Sequence, residues 1–229
     1  MIDEIATPWF DSALERLSLR KGERAIVIEP KQRDVVALRA SIGGDGELTA
    51  VLRDRQASEQ LAGMQLQQLR VIAHDTVGGE RFGSYDAALF APHTGPLLPA
   101  RAYAELVRKN LRPGGRFVVD LPAADMLPDL TAAWADVGWD EERLAPIAGP
   151  TDADLVEALR DAGLRAVEGA PGAHVLQAAS AAEFVAVFAD ELGLSDDDVV
   201  ELGHAIVRNR REAGPLELLA HRAQAQGRR

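Results

Sequence analysis

The sequence predicts an α/β fold in which helices cover both faces of a mainly parallel sheet. Short, continuous apolar runs recur along the first half of the chain, as expected for strands that are buried on both faces. Between them lie segments whose apolar residues are spaced three and four apart, as in amphipathic helices. Such alternation is typical of right-handed crossovers between parallel strands. The 229 residues, of which 47% are hydrophobic, suffice for a core of this kind.

The first half of the chain predicts five strands and the helices between them. The first helix places Trp9, Phe10 and Ala13 on one face, and Pro8 suits its first turn. Glycine clusters at 43–46 and 114–115 end two later helices, since glycine permits the positive φ angle of a helix end. The predicted helices are residues 7–19, 34–41, a part of 57–68, and 100–111. The predicted strands are residues 25–28, 48–52, 69–73, 85–90 and 116–121.

The next segment predicts a helix and a hairpin. Thr151 and Asp154 fit a capping box for a helix over residues 155–162. The strand-like stretches 165–168 and 174–177 flank a Gly-Ala-Pro-Gly turn, so we expect two antiparallel strands there.

The last fifty residues show no convincing strand and are predicted to be helical. Ser195 is placed to cap a helix whose first turn holds three aspartates, and Gly214 with Pro215 interrupts the chain farther on. The predicted helices are residues 181–192, a segment that begins at Ser195, and residues 216–225. We therefore divide the chain into an α/β domain, residues 1–180, and a helical C-terminal extension, residues 181–229.

Composition excludes several classes of function. Because 36 acidic against 25 basic residues give a net charge of −11, broad binding to nucleic acid or to an anionic membrane is not expected. The absence of cysteine excludes disulfides and thiolate metal sites, and no histidine or acidic set has metal-ligand spacing. No apolar run is long enough to span a membrane, and we expect a cytoplasmic protein. A C-terminal group of arginines is attributed to helix ends and solvent: Arg208, Arg210, Arg211, Arg222, Arg228 and Arg229.

Several motifs resemble class I S-adenosylmethionine-dependent methyltransferases. Residues 102–121, AYAELVRKNLRPGGRFVVDL, resemble the helix, Pro-Gly-Gly turn and fifth strand of that family. Residues 19–28 resemble its entry into the first strand, Tyr85-Asp86 the start of its fourth, and residues 161–164 the end of its last helix. The resemblance implies a Rossmann-like, seven-stranded sheet with a terminal antiparallel hairpin. It also implies S-adenosylmethionine as cofactor if the protein is active.

The segment that should hold this cofactor departs from the family pattern. Active members carry a loop of the form D-x-G-x-G-x-G after the first strand, whereas this chain has VIEPKQR, without a glycine. Glu29, Lys31 and Arg33 stand where the glycines are expected. Leu52 stands at the position of the acidic residue that binds the ribose, and Asp54 substitutes only if the loop shifts.

Other candidate site residues follow the predicted strands. Asp75, next to Thr76, matches a position near the adenine amino group, although an aspartate there also suits a turn or a helix cap. His93, in the loop after the fourth strand, is the catalytic candidate as a general base, or is a loop histidine without a role. The cofactor-binding candidates are Glu29, Arg53, Asp54, Asp75 and Thr76.

Charged residues at one edge of the sheet admit two interpretations. A polar crevice is expected at the carboxyl ends of the strands, formed by Glu29, Arg53, Asp75, His93 and Asp120. Either Glu29 pairs with Lys31 or Arg33 and fills a former cofactor cleft, or the crevice binds another polar metabolite.

Three hypotheses of function follow. The first is a pseudoenzyme without cofactor that has a binding, scaffolding or regulatory role. The second is an active methyltransferase of a small metabolite with an atypical cofactor loop. The third makes the helical extension the working part. Its apolar residues pack either back on the α/β domain or against a second subunit, and we expect a homo-oligomer or a protein partner.

Overall fold

The computed structural model describes residues 7–74, 80–93, 98–211 and 215–229. A seven-stranded sheet has the strand order β3-β2-β1-β4-β5-β7-β6. The strands are β1 (Arg24–Ile28), β2 (Glu47–Leu52), β3 (Leu69–Ala73), β4 (Tyr85–Phe90), β5 (Leu111–Pro122), β6 (Arg165–Ala178) and β7 (Leu216–Arg228). The pairs among β1 to β5 are parallel, and β7 is antiparallel to both of its neighbours. The predicted α/β fold is confirmed.

The helices of the described residues lie between and after the strands. They are α1 (Thr7–Leu17), α2 (Gln32–Ile42), α3 (Arg55–Gly63), α4 (Ala100–Asn110), α5 (Pro128–Asp136), α6 (Asp152–Asp161), α7 (Ala181–Ala186), α8 (Ala189–Leu192) and α9 (Asp196–Arg210). A short 3-10 helix, Glu141–Leu144, follows α5. No helix within the described ranges is long and apolar enough to cross a membrane.

Helices cover the sheet on both faces, as the continuous apolar runs predict. In β1, Ala25 and Val27 belong to the core on one face, whereas Ile26 and Ile28 belong to the core on the other. All six residues of β4 are buried. The strands β1, β2 and β4 therefore place their carboxyl ends at one well-fixed edge of the sheet.

The predicted helix over residues 216–225 is wrong, because this segment forms β7. Its first residues alternate between buried and exposed, with Leu216, Leu218 and Ala220 inside and Glu217 and Leu219 outside. That alternation has the period of a strand. The extension from residue 181 thus supplies a strand that lies between β5 and β6, in addition to helices.

The predicted turn at residues 169–172 is also wrong, because β6 runs through it without reversing. Each residue from 168 to 178 pairs with β7, so the terminal antiparallel pair exists but consists of β6 and β7. Pro171 is tolerated because β6 is an edge strand. Gly172 leaves room for the Gln224 side chain, whose Nε2 would lie 2.3 Å from an added Cβ atom.

The helices before β7 pack on the rest of the fold. Ser195 caps α9 as predicted: its Oγ accepts the Asp198 N–H at 3.2 Å, and its own N–H donates to the Asp198 carboxylate at 2.9 Å. Near its other end, α9 is joined to α5 by the ion pairs Arg208–Asp136 and Arg210–Asp129.

Candidate functional site

The ends of β1 and β2 are joined by a side chain of the loop after β1. Glu29 accepts two hydrogen bonds through Oε1, from the Arg53 backbone N–H at 3.0 Å and from Arg53 Nε at 2.8 Å. The Glu29 N–H donates to the Val51 carbonyl at 2.9 Å. Glu29 has a φ of 54°, the left-handed region in which glycine is favoured. Glu29 thus has a backbone conformation that favours glycine, but its side chain binds Arg53 at the end of β2.

The link from β1 to α2 offers few free backbone donors. It comprises Glu29, Pro30 and Lys31; Pro30 has no N–H, and the Lys31 N–H donates to the Asp34 carboxylate at 2.9 Å. A helix start binds an anionic ligand through unpaired N–H groups. In this link both backbone N–H groups, those of Glu29 and Lys31, already donate hydrogen bonds within the protein.

The expected pairing of Glu29 with Lys31 or Arg33 is wrong. Arg33 points instead toward α1, where its Nη2 lies 3.0 Å from Asp11 in an exposed ion pair. Lys31 is exposed and precedes α2. The partner of Glu29 is Arg53, which lies far from it in sequence and is brought near only by the parallel pairing of β1 with β2.

Asp54 caps the helix that follows β2. Its Oδ1 accepts the backbone N–H groups of Gln56 at 2.7 Å and Ala57 at 3.1 Å, so this carboxylate is occupied by the first turn of α3. The other two cofactor-binding candidates, Asp75 and Thr76, lie outside the described residues.

His93 lies beyond β4 and is buried, with 2% of its surface exposed. Its Nε2 is 3.1 Å from the carboxylate of Asp34, which is itself fully buried in α2. The Phe10 ring contacts the imidazole edge to face. The sequence placed His93 at this edge of the sheet, but no pattern in it indicated the pairing with Asp34.

A second polar cluster surrounds Asp120 near the end of β5. This fully buried carboxylate accepts from Arg222 Nε at 2.7 Å, Arg16 Nη2 at 2.8 Å and Gln224 Nε2 at 2.8 Å. Arg222 Nη2 also donates to the carbonyl of Pro92, next to His93, at 3.0 Å. The two clusters therefore meet at the loop after β4.

Arg222 is the site residue that sequence reasoning missed. It was assigned to helix ends and solvent, yet it is 1% exposed because it lies on an inward position of β7. Burial lowers the pKa of the Arg222 guanidinium, and the charge of Asp120 opposes this effect. The apolar residues at every second position from Leu216 to Ala220 are the signal for a strand, and continuing this alternation places Arg222 on the buried side.

Aromatic and imidazole groups adjoin this cluster. The Trp9 ring lies 4.8 Å from the Arg222 guanidinium carbon and contacts the half-buried His174 edge to face. Burial lowers the pKa of His174 and raises that of Tyr103 to about 12. The positive charge of Arg222 has a smaller effect and lowers the pKa of both residues. Both side chains are therefore neutral at neutral pH.

Chemically, the site is a set of internally paired charges. Within the part of the chain that the structure describes, no group of three or more histidine and acidic residues is arranged to hold a metal ion. The described residues do not fit S-adenosylmethionine in the manner of the resembling family. Glu29 fills the loop position that needs a glycine, and its carboxylate is bound to Arg53.

Comparison with solved structures identifies the fold. The YcgJ protein from Bacillus subtilis superposes with a TM-score of 0.66 at 12% identity, covering 99% of each chain. A geranyl diphosphate C-methyltransferase from Streptomyces coelicolor, solved with S-adenosyl-L-homocysteine, gives 0.58 at 10% identity, covering 99% of this chain and 81% of its own. A complex of a putative methyltransferase with the Trm112 methyltransferase activator from Haloferax volcanii gives 0.53 at 19% identity, covering 96% and 89%.

These similarities show that the chain has the class I methyltransferase fold. No protein-family model matches the sequence, and no curated protein matches it significantly. At such low identities the similarity concerns the fold, so the activity has to be argued from the site residues.

Proposed function

We propose that this chain is a methyltransferase-like protein without methyl-transfer activity, which has a binding, scaffolding or regulatory role. The observation that carries this proposal is the Glu29–Arg53 pair, which joins the ends of β1 and β2 where the resembling family has a glycine loop. Because two N–H donors of Arg53 already bind the Glu29 carboxylate, this carboxylate is satisfied without a ligand.

Two further contacts support the proposal. The Lys31 N–H is bound by Asp34, and the Asp54 carboxylate is bound by two N–H groups of α3. A cofactor would have to displace these hydrogen bonds, each of which contributes about 0.5–1.5 kcal/mol to stability.

Calorimetric titration with S-adenosylmethionine and S-adenosylhomocysteine tests the proposal. We expect no heat of binding in the micromolar range for either compound, because the loop donors are already used. A Glu29→Gly variant is the matched comparison, since it removes the carboxylate and keeps a residue suited to the φ of 54°. Micromolar binding by the unaltered chain would contradict the proposal.

The second candidate function is an active methyltransferase of a small metabolite. It is favoured by one observation, the buried His93 held 3.1 Å from Asp34 at the edge where the strands end. An imidazole next to a carboxylate is the arrangement of a general base. Because the loop after β1 does not fit the cofactor, this candidate depends on the geometry of His93 alone.

Methyl transfer from labelled S-adenosylmethionine to a pool of small metabolites tests this second candidate. If it holds, His93→Gln lowers the transfer per folded molecule by about 100-fold. Circular dichroism measures the folded fraction of the variant, because His93 is buried against Asp34. Under the first proposal neither protein transfers the label. Transfer that is equal in both proteins excludes His93 as the base.

We also propose that the protein is cytoplasmic and forms a homo-oligomer or binds a protein partner through α7–α9. The Val200 side chain of α9 is among the exposed large apolar residues of the described chain. The Haloferax volcanii protein, whose fold is similar, was solved with a protein partner. Light scattering measures the assembly, and a strict monomer that captures no partner would contradict this.

A further inference from the structure

Three buried N–H donors have no hydrogen-bond partner within the described part of the chain, and they belong to the two arginines that bind Asp120 and to the tryptophan ring under Arg222. They are Trp9 Nε1, Arg16 Nε and Arg222 Nη1. A buried donor that is left unsatisfied costs about 1–3 kcal/mol, so native proteins rarely keep several of them together. Their shared location therefore indicates a group that accepts hydrogen bonds.

The three donors belong to one niche, which we define as Trp9, Arg16, Asp120, His174 and Arg222. Arg16 and Arg222 both donate to the Asp120 carboxylate, and the Arg222 guanidinium lies 4.8 Å from the centre of the Trp9 ring. Because Arg222 and Trp9 stack, their unpaired N–H groups lie on adjoining planar groups.

The charge of the niche also favours an anion. Two guanidinium groups face one carboxylate, and His174 and Tyr103 beside them are neutral at neutral pH. Within this niche the unpaired atoms are all donors. The niche lies near the surface, since His174 is half-buried and the Arg16 side chain is 25% exposed.

We propose that the niche binds the carboxylate group of a small organic acid, with Arg222 Nη1, Trp9 Nε1 and Arg16 Nε as the donors to its oxygens. The two oxygens of a carboxylate offer about four acceptor positions, which suffice for these three donors. The inference is independent of the proposed function, because no residue of the niche belongs to the loop after β1.

Nuclear magnetic resonance of the tryptophan side chains tests it directly. The chain has three tryptophans, and Trp134 serves as the internal control because its Nε1 already donates to the Asp140 carbonyl at 2.9 Å. We expect acetate to shift the Trp9 indole N–H signal downfield with saturation and to leave the Trp134 signal unchanged. Neutral acetamide should leave both signals unchanged.

A pair of variants completes the test. Trp9→Phe keeps an aromatic ring and removes one donor, so it should weaken acetate binding by about tenfold in calorimetry. Trp139→Phe, outside the niche, should leave the affinity unchanged. The proposal is overturned if acetate shifts no Trp9 signal, if acetamide produces the same shift, or if inorganic phosphate alone does.

Discussion

Replacing Asp120 by alanine is expected to lower the free energy of unfolding by about 3–5 kcal/mol. The change removes a fully buried carboxylate and leaves the Arg222 guanidinium, which is 1% exposed, without its ion-pair partner. Arg16 and Gln224 lose an acceptor as well. Urea denaturation monitored by circular dichroism measures the loss as a shift of the midpoint at constant slope.

Asp136→Ala is the matched control for this experiment. Asp136 also pairs with an arginine, Arg208 at 2.9 Å, but both side chains are exposed. An exposed pair is worth about 0–1 kcal/mol, so this variant should unfold close to the unaltered protein. Equal losses in the two variants would show that Asp120 is not the centre of a buried network.

A chain that ends at Ser180 is expected to lose cooperative unfolding altogether. It lacks β7, which pairs with β5 from Arg116 to Pro122 and with nearly the whole of β6. Without it, β6 has no neighbour and the outer edge of β5 is left unpaired. Differential scanning calorimetry should show a clear transition for the full chain and none for the truncated one.

A redesigned connection separates the effect of β7 from that of the helices. Because Ala178 pairs with Leu216, a short turn can join β6 directly to β7 in place of residues 179–215. This variant should regain a cooperative transition at lower temperature, since it loses the packing of α7 and α9. A stable chain ending at Ser180 would instead support the predicted division into residues 1–180 and 181–229.

The parallel part of the fold could be predicted because its strands are buried on both faces. Continuous apolar runs such as residues 25–28 leave little ambiguity once helices lie between them. The sequence predicts a helix for the segment of β7 because its leucines and alanines are also good helix formers. The Gly-Ala-Pro-Gly stretch of β6 has the composition of a turn, and only pairing with β7 makes it a strand.

The candidate site could be predicted by position but not by partner. Glu29 and His93 stand at the ends of strands, as the sequence indicated. Their partners, Arg53 and Asp34, come from other elements, and such pairings depend on the strand order and on where α2 docks. The burial of Arg222 could not be predicted for a simpler reason: a helix over residues 216–225 would leave this arginine on the surface.

The place of β7 in the sheet also sets the order of events during synthesis. The ribosome makes β7 after all other described strands, yet β7 lies between β5 and β6. Until β7 has been made, β1 to β5 can pair with one another, but β6 has no partner strand. The backbone hydrogen-bonding groups of the 14-residue β6 stay unpaired during that time. The nascent chain therefore needs β7 before this sheet can close, and we expect a ribosome that stalls before β7 to expose an aggregation-prone intermediate.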